Sequence, residues 1–381
     1  MAITRIGNIA STIPDDSIAN VKMANIVQSK NIIINGDMQI AQRSTSVASI
    51  SSGNTIHTCD RWKTYASSAG TWTQTQEALT SGDAYNDGFS NSLKLDCTTA
   101  NGSLSSGSYL SVAQSIEAQN LQYIKKGTAN AEQLTASFWV KSTKTGTNIV
   151  QFVSLDNTVR ICAKSYTINS SDTWEKKTIT IPADTSSTGK IDNNNGEGMR
   201  MIFWVAAGTD YTSGTLATTW ANSANANRAV GQVNNADSTS NNFEITGVQL
   251  EAGDTASEFE FLPVDINQQR CFRYFYMVGD EDEQGLGTAF YRSNTNVRFM
   301  IEPPVTMRST PSLDQSTASN SFRVLSSAGG DDLLDDWSIM TSSTDRFIIV
   351  VNATDASGTG GQAGYALINL ADTHFALTAE L

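Results

Sequence analysis

From Asn31 to about Val264, short runs that alternate apolar and polar residues follow one another, nearly all bounded by Gly, Asn, Asp or Ser. The runs "RWKTYAS", "TWTQTQEA", "NSLKLDC", "LTASFWVKS", "NIVQFVSL", "RICAKSYTI", "EKKTITIP", "RMIFWVAAG" and "FEITGVQLE" read as strands. "NIIIN", Asn31 to Asn35, reads as the strand that opens the set. Many short strands with frequent turn signals predict an antiparallel sandwich. "SIEAQNLQYIKKG" interrupts them, with Leu121 and Ile124 at helical spacing and Gly127 as a stop, which predicts one short helix. The stretch from Thr212 to Asn242 is rich in Ala, Asn, Ser and Thr and carries Trp220 in its middle. It is longer than an ordinary loop, and such loops are usually functional or poorly ordered.

The pattern changes at both ends of this region. After Pro263, Asp265 caps one predicted helical turn, and "RCFRYFYMV" alternates as a strand before an acidic turn. Later candidates, among them "NVRFMIEP", "SFRVLSS", "RFIIVVNA" and "GYALINL", predict a second, smaller β domain. The expected organisation is therefore 1–30, 31–264 and 265–381. In the first segment Ile3, Ile6, Ile9 and Ile13 recur at nearly every third position, a period that fits neither an isolated strand nor a well-formed amphipathic helix. "DDSIANVKMANIV" then starts a short helix with Ile18 and Val21 on one side. A segment this short is marginal alone and calls for cover from another chain. Composition alone supports a disordered leader equally well.

Charge narrows the partners. The chain of 381 residues has a formal net charge of -13, which repels nucleic acid and anionic membrane surfaces. No window approaches the roughly 18 apolar residues of a membrane span, and the N-terminus lacks the apolar centre of a secretory signal. Synthesis and folding in a cytoplasm, without membrane insertion, are expected. Cys59, Cys97, Cys162 and Cys271 show no CxxC spacing, and His57 and His374 are the only imidazoles. Four reduced, packed thiols are expected rather than a zinc site or a disulfide framework.

"NIIINGDMQIAQRS", "DRW" at Asp60 to Trp62, "LTASFWVKS", "DTWEKKTITIP", "FEITGVQLEAG" and "CFRYFY" occur in this order. Together they resemble a family of bacteriophage tail-fibre and receptor-binding proteins whose large domain is similar to a carbohydrate-binding-module jelly roll. The resemblance covers roughly Asn31 to Tyr276. It implies an all-β chain, a jelly-roll β-sandwich followed by a smaller C-terminal β-sandwich, with a short N-terminal attachment and trimerisation segment. It also implies a homotrimer in the virion tail, made in the host cytoplasm. The N-terminus would be held by a tail adaptor, nozzle or other tail protein, and a host cell-surface glycan is the implied partner. Ile3, Ile6, Ile9, Ile13, Ile18 and Val21 would then form the ridge that three chains bury about one axis.

Candidate sites follow from residue type. Trp62, Trp139, Trp204 and Phe203 sit in strand-like runs and are expected in the core. Trp72, Tyr211 and Trp220 are flanked by Thr, Ser, Gly and Asn, where a ring is expected to be partly exposed and able to stack on a sugar. A plug at a subunit interface is the competing role. Asn35, Asp37, Glu251 and Asp254 lie at the two ends of the proposed jelly roll and are candidate ligands of a structural calcium, against a role as surface turns; no other cofactor is expected. "GDEDEQG", with Asp280 and Asp282, and "GGDDLLDDW", with Trp337, concentrate negative charge as candidate receptor contacts, against the solvated loops such runs usually form. No catalytic set is assigned: neither His lies in a triad context, and GxSxG, Walker and parallel β-helix signatures are missing. Carboxylate pairs for glycan hydrolysis are defined by distance and stay unreadable at this level. The expected function is a non-enzymatic fibre that binds host glycan, first through the C-terminal domain and second through the jelly roll. The alternatives are a glycan-degrading tailspike and a purely structural connector or capsid fibre.

Overall fold

The computed structural model describes residues 30–327 and 329–381. The first lobe holds β1 (Ser46–Ile56), β2 (Lys63–Ala78), β3 (Asn91–Thr99), β4 (Tyr109–Glu117), β5 (Leu134–Ser142), β6 (Gly146–Ser154), β7 (Arg160–Ile168), β8 (Glu175–Ile181), β9 (Glu197–Ala207), β10 (Ala221–Asn222) and β11 (Asn242–Ala252). They pair in the order β10-β7-β6-β9-β4-β2-β3-β11-β5-β8, with β1 on β2. The 16-residue β2 serves both layers: Lys63–Ser67 pairs with β4, and Thr71–Ala78 pairs with β3. Between these halves Ser68 (φ 50°) and Gly70 (φ 78°) bend the strand. A Cβ on Gly70 would also stand 2.4 Å from the Thr99 carbonyl oxygen, so the bend needs glycine. "RWKTYAS" and "TWTQTQEA" are thus one strand crossing a sandwich corner, not two strands.

Side-chain alternation then fills the space between the layers. Along β9, Met199, Met201 and Phe203 point into a core shared with Trp62, Trp72, Phe138, Phe152 and Phe243. Arg200, Ile202 and Trp204 point the other way.

The second lobe contains β12 (Phe275–Gly279), β13 (Gly285–Ser293), β14 (Asn296–Ile301), β15 (Ser312–Gln315), β16 (Phe322–Ser326), β17 (Asp331–Leu334), β18 (Ser338–Thr341), β19 (Ile348–Asn352), β20 (Ala363–Ile368) and β21 (Phe375–Thr378). A seven-stranded sheet, β17-β16-β20-β13-β14-β19-β18, and a three-stranded one, β12-β21-β15, pack around Phe299, Phe322, Trp337, Ile348 and Phe375. The chain is therefore all-β, a jelly-roll sandwich followed by a smaller sandwich.

An ionic and aromatic clamp joins the lobes. Arg61 pairs with Glu380 and lies over the Tyr274 ring, 3.5 Å from its centroid. Arg43 covers the Phe275 ring at 3.5 Å, and Arg273 grips Glu117 through two bonds of 2.7 and 2.8 Å. The Ala379 amide donates to the Tyr274 carbonyl at 2.7 Å.

Several expectations change on physical grounds. Asn31–Asn35 is buried but is not a strand, because Asn35 (φ 55°) and Met38 (φ 59°) turn the backbone out of the extended region. The Asn31 side chain instead reaches β11, donating to the Val248 carbonyl at 3.1 Å and accepting from the Leu250 amide at 3.1 Å. The helix predicted around Leu121 is a 3-10 helix, Ala118–Ile124, that buries Leu121 and Ile124 and ends at Lys125 in the left-handed region. "RCFRYFYMV" is divided: the helix Val264–Phe272 takes its first part, so that Cys271 and Tyr274 share one buried cluster with Ile34 and Ile40, and β12 takes the rest. All four cysteines are free and buried. Ile3, Ile6, Ile9, Ile13, Ile18 and Val21 lie outside the described residues.

At the start of β8, Glu175 accepts from the amides of Asn169 (2.7 Å) and Ser170 (2.9 Å) and from the Lys177 ammonium (2.5 Å). Burial would raise its pKa, but these donors outweigh burial and lower it from 4.5 to about 2. Because the folded value is the lower one, the carboxylate stabilises the fold above the unfolded pKa, and this contribution disappears as pH falls towards 2. Glu175→Gln is expected to be less stable than the parent at neutral pH and equal to it at the acid end. Urea midpoints measured across this range check it.

Candidate functional site

The outward face of the β7-β6-β9-β4-β2 layer carries the site. Strand register places Tyr65 beside Ser111, Ser111 beside Trp204 and Ile202 beside Gln151, so these side chains leave the same face. After β9 the chain makes one short helical turn, Thr209–Thr212, and runs back over the sheet. Leu216, Ala217 and Ala229 of that segment pack with Ile149, Ile161 and Ala163, roofing the β6–β7 part of the face. Tyr211 and Arg228 of the same segment meet Tyr65, Tyr109, Ser111, Arg200, Ile202 and Trp204 around a cleft of about 170 Å³.

Aromatic rings dominate this cleft. Tyr211 stands edge-on to Tyr109, with centroids 5.6 Å apart, and 5.3 Å from Trp204. The Arg228 guanidinium lies 5.2 Å from the Trp204 ring and Arg200 5.1 Å from the Tyr65 ring. Fully buried Gln151 fixes two of these groups, its Oε1 accepting from Trp204 Nε1 at 3.1 Å and Arg228 Nε at 3.3 Å. Burial pushes the Tyr65 and Tyr211 phenols up, so both remain neutral hydroxyls at physiological pH. The lining therefore combines aromatic rings with phenol, hydroxyl and guanidinium groups. It includes no Asp or Glu, so it lacks the carboxylate pair that glycoside hydrolysis ordinarily uses.

Of the residues singled out in the sequence, Tyr211 is in the cleft. Trp72 is not exposed: its Thr neighbours occupy the other face of β2, while the indole fills the core and donates to the Ala69 carbonyl at 2.7 Å. Trp337 is likewise buried, edge-on to Phe299 at 4.7 Å. Trp220 is half-buried under the Lys126 ammonium at 4.0 Å and donates to the Pro182 carbonyl, so it fastens the roofing segment down. Asp280 and Asp282 are exposed, and Asp280 borders a separate polar cleft with Gln42, Phe272 and Met277. Trp62 and Phe203 are core residues, whereas Trp139 is half-exposed and donates to Asp87 at 3.0 Å.

The four expected calcium ligands are engaged elsewhere. Asn35 bonds the backbone of Ile40 and Asp60, Asp37 accepts from Asn267, Glu251 accepts from Ser257, and Asp254 is an exposed turn residue bonded to Thr255. Among the described residues no group of three or more His, Cys, Asp or Glu is placed to hold a metal ion. No helix among them is long and apolar enough to cross a membrane.

Tyr65, Tyr109, Ser111, Arg200 and Arg228 are cleft residues that sequence reasoning missed. One signal was available: Arg200 between Met199 and Met201 marks the strand face that is not core.

No family model matches the chain, and no curated protein matches it. Among solved structures it is similar to the enzymatically active domain of tailspike protein 4 of bacteriophage CBA120, with TM-score 0.29 and 15% identity over 58% of this chain, and it spans only 21% of that chain. It is similar to a family 11 carbohydrate-binding module of a Clostridium thermocellum cellulosomal cellulase, with TM-score 0.26 and 13% identity over 54% of this chain and 99% of that one. A tandem of two CBM22 domains from Paenibacillus barcinonensis is similar at TM-score 0.25 and 10% identity over 93% of this chain and 99% of that one.

Proposed function

We propose that this chain is a homotrimeric bacteriophage tail-fibre protein that attaches the virion to a host-surface glycan through the cleft on its jelly roll. The observation that carries the reading is the cleft itself, in which Tyr65, Tyr109, Trp204 and Tyr211 surround a sugar-sized space fringed by hydrogen-bonding groups. The ordered sequence motifs supply the virion context, with residues 1–30 as the attachment and trimerisation segment. The aromatic lining moves the first choice of receptor site from the C-terminal lobe to the jelly roll. A lining without carboxylates favours binding over depolymerisation. Three shallow sites per fibre and several fibres per particle raise avidity by roughly 10²- to 10⁴-fold without a tight single contact.

The test is adsorption competition with soluble, full-length protein. The parent protein is expected to block adsorption of particles to host cells, and Tyr211→Ala, matched to it by circular dichroism, to need about tenfold more protein for the same block. Equal competition by Tyr211→Ala, or none by the parent at saturating dose, overturns the reading.

A further inference from the structure

Resting on the glycan reading above, we infer that the cleft is built for an anionic sugar, one whose carboxylate or phosphate substituent is held by Arg228. The two arginines of the cleft differ in how their charge is used. Arg200 is committed to Glu197, which takes its Nε at 2.7 Å and an Nη at 2.6 Å and is itself bonded by the Ser115 hydroxyl. Arg228 has no carboxylate partner among the described residues. Its Nε reaches the Gln151 amide oxygen, and among the described residues neither Nη finds an acceptor although the side chain lines the cleft.

A guanidinium placed this way is a fork with its tines free. Trp204 and Tyr211, 5.2 and 5.8 Å from its carbon, hold it by cation–π attraction, and Gln151 sets its rotation from below. Burial among the rings lowers its pKa from the free guanidinium value, which marks a charge short of solvation, though it stays protonated at any ordinary pH. A neutral sugar would leave that charge uncompensated, whereas a carboxylate or phosphate would meet both Nη groups in the paired geometry that arginine favours. The surroundings sharpen the point, because the chain as a whole carries -13 and general electrostatics would repel such a ligand. One guanidinium without a carboxylate partner among the described residues, set in a cleft of a negative protein, is a specific device. Arg228 is the specificity-determining residue, and Gln151 positions it.

The test uses the full chain and titration calorimetry on matched tetrasaccharides: glucose and glucuronate, galactose and galacturonate, mannose and mannuronate, and mannose with its 6-phosphate. Within any pair that binds, the anionic member is expected to bind about 10- to 100-fold more tightly at low salt, with the advantage shrinking at high salt. Whether carboxylated or phosphorylated members win identifies the source of the anion. Arg228→Gln is expected to remove the preference and Arg228→Lys to keep part of it, so a merely structural Arg228, which would change stability and leave selectivity alone, is told apart. Neutral members binding as tightly as anionic ones, or a preference that survives Arg228→Gln, overturns the inference and leaves glycan binding standing. Binding of none of the saccharides overturns both.

Discussion

Asp184→Ala is expected to cost about 3–5 kcal/mol of folding stability. Asp184 is buried and takes Lys126 Nζ at 2.5 Å together with Arg160 through bonds of 2.9 and 3.0 Å. Burial alone would raise its pKa, but the two cations hold the carboxyl below the ordinary aspartate value. Removing it strands both charges, and among the described residues Lys126 in particular keeps only the Gly189 carbonyl at 3.2 Å and the face of Trp220. The damage should come from stranded charge rather than from lost attraction. Lys126→Met/Arg160→Met/Asp184→Leu should therefore recover a substantial part of the stability, which the single variant followed by urea unfolding cannot do. A functional effect should accompany it: Arg160 bonds the Trp220 carbonyl at 3.1 Å, so the same knot anchors the segment that brings Tyr211 and Arg228 to the cleft. Saccharide affinity in Asp184→Ala should fall even under conditions where the protein remains folded.

Glu380→Ala is expected to cost about 3 kcal/mol and to uncouple the lobes. Glu380 neutralises Arg61, whose side chain is only 2% exposed, and stands 3.4 Å from Arg43. Without it Arg61 retains the Ser115 carbonyl at 2.8 Å and the Tyr274 ring, neither of which carries a compensating charge. Differential scanning calorimetry should resolve two transitions in the variant where the parent shows one, with the C-terminal lobe melting first. Arg61→Met/Glu380→Leu should restore a single transition, since apolar replacement removes the buried charges together.

The strands of the sandwich were readable because most of them have one face in the core and one outside it. Where that condition fails, the reading fails too. "RMIFWVAAG" looks like a uniformly apolar run because β9 is covered on both faces, by the core at Phe203 and by the roof around Trp204. Trp204 is buried as the sequence predicts, but in the cluster on the outer face of the layer, where its edge reaches the cleft, rather than between the two layers. Trp72 departs in the opposite direction, since its polar neighbours suggest a partly exposed ring when they belong to the far face of the same strand. The cleft itself could not be read in advance, because Tyr65, Tyr109, Arg200 and Arg228 come from elements that only the strand register and the long return of the chain after β9 bring together. The length and composition of that return are visible in the sequence, and the structure lays it over the sheet, where Tyr211 and Arg228 line the cleft.

The chain leaves the first lobe at Tyr274 and comes back at Ala379, and those two residues share a hydrogen bond of 2.7 Å, with Phe275 paired to Thr378 as antiparallel neighbours. The whole second lobe is thus a cassette closed at its base. Its base is held by more than these two strand ends, because Arg308, inside the lobe, donates to the Ala379 carbonyl at 2.7 Å, the Glu380 carbonyl at 3.0 Å and the Asn195 carbonyl of the first lobe at 2.9 Å.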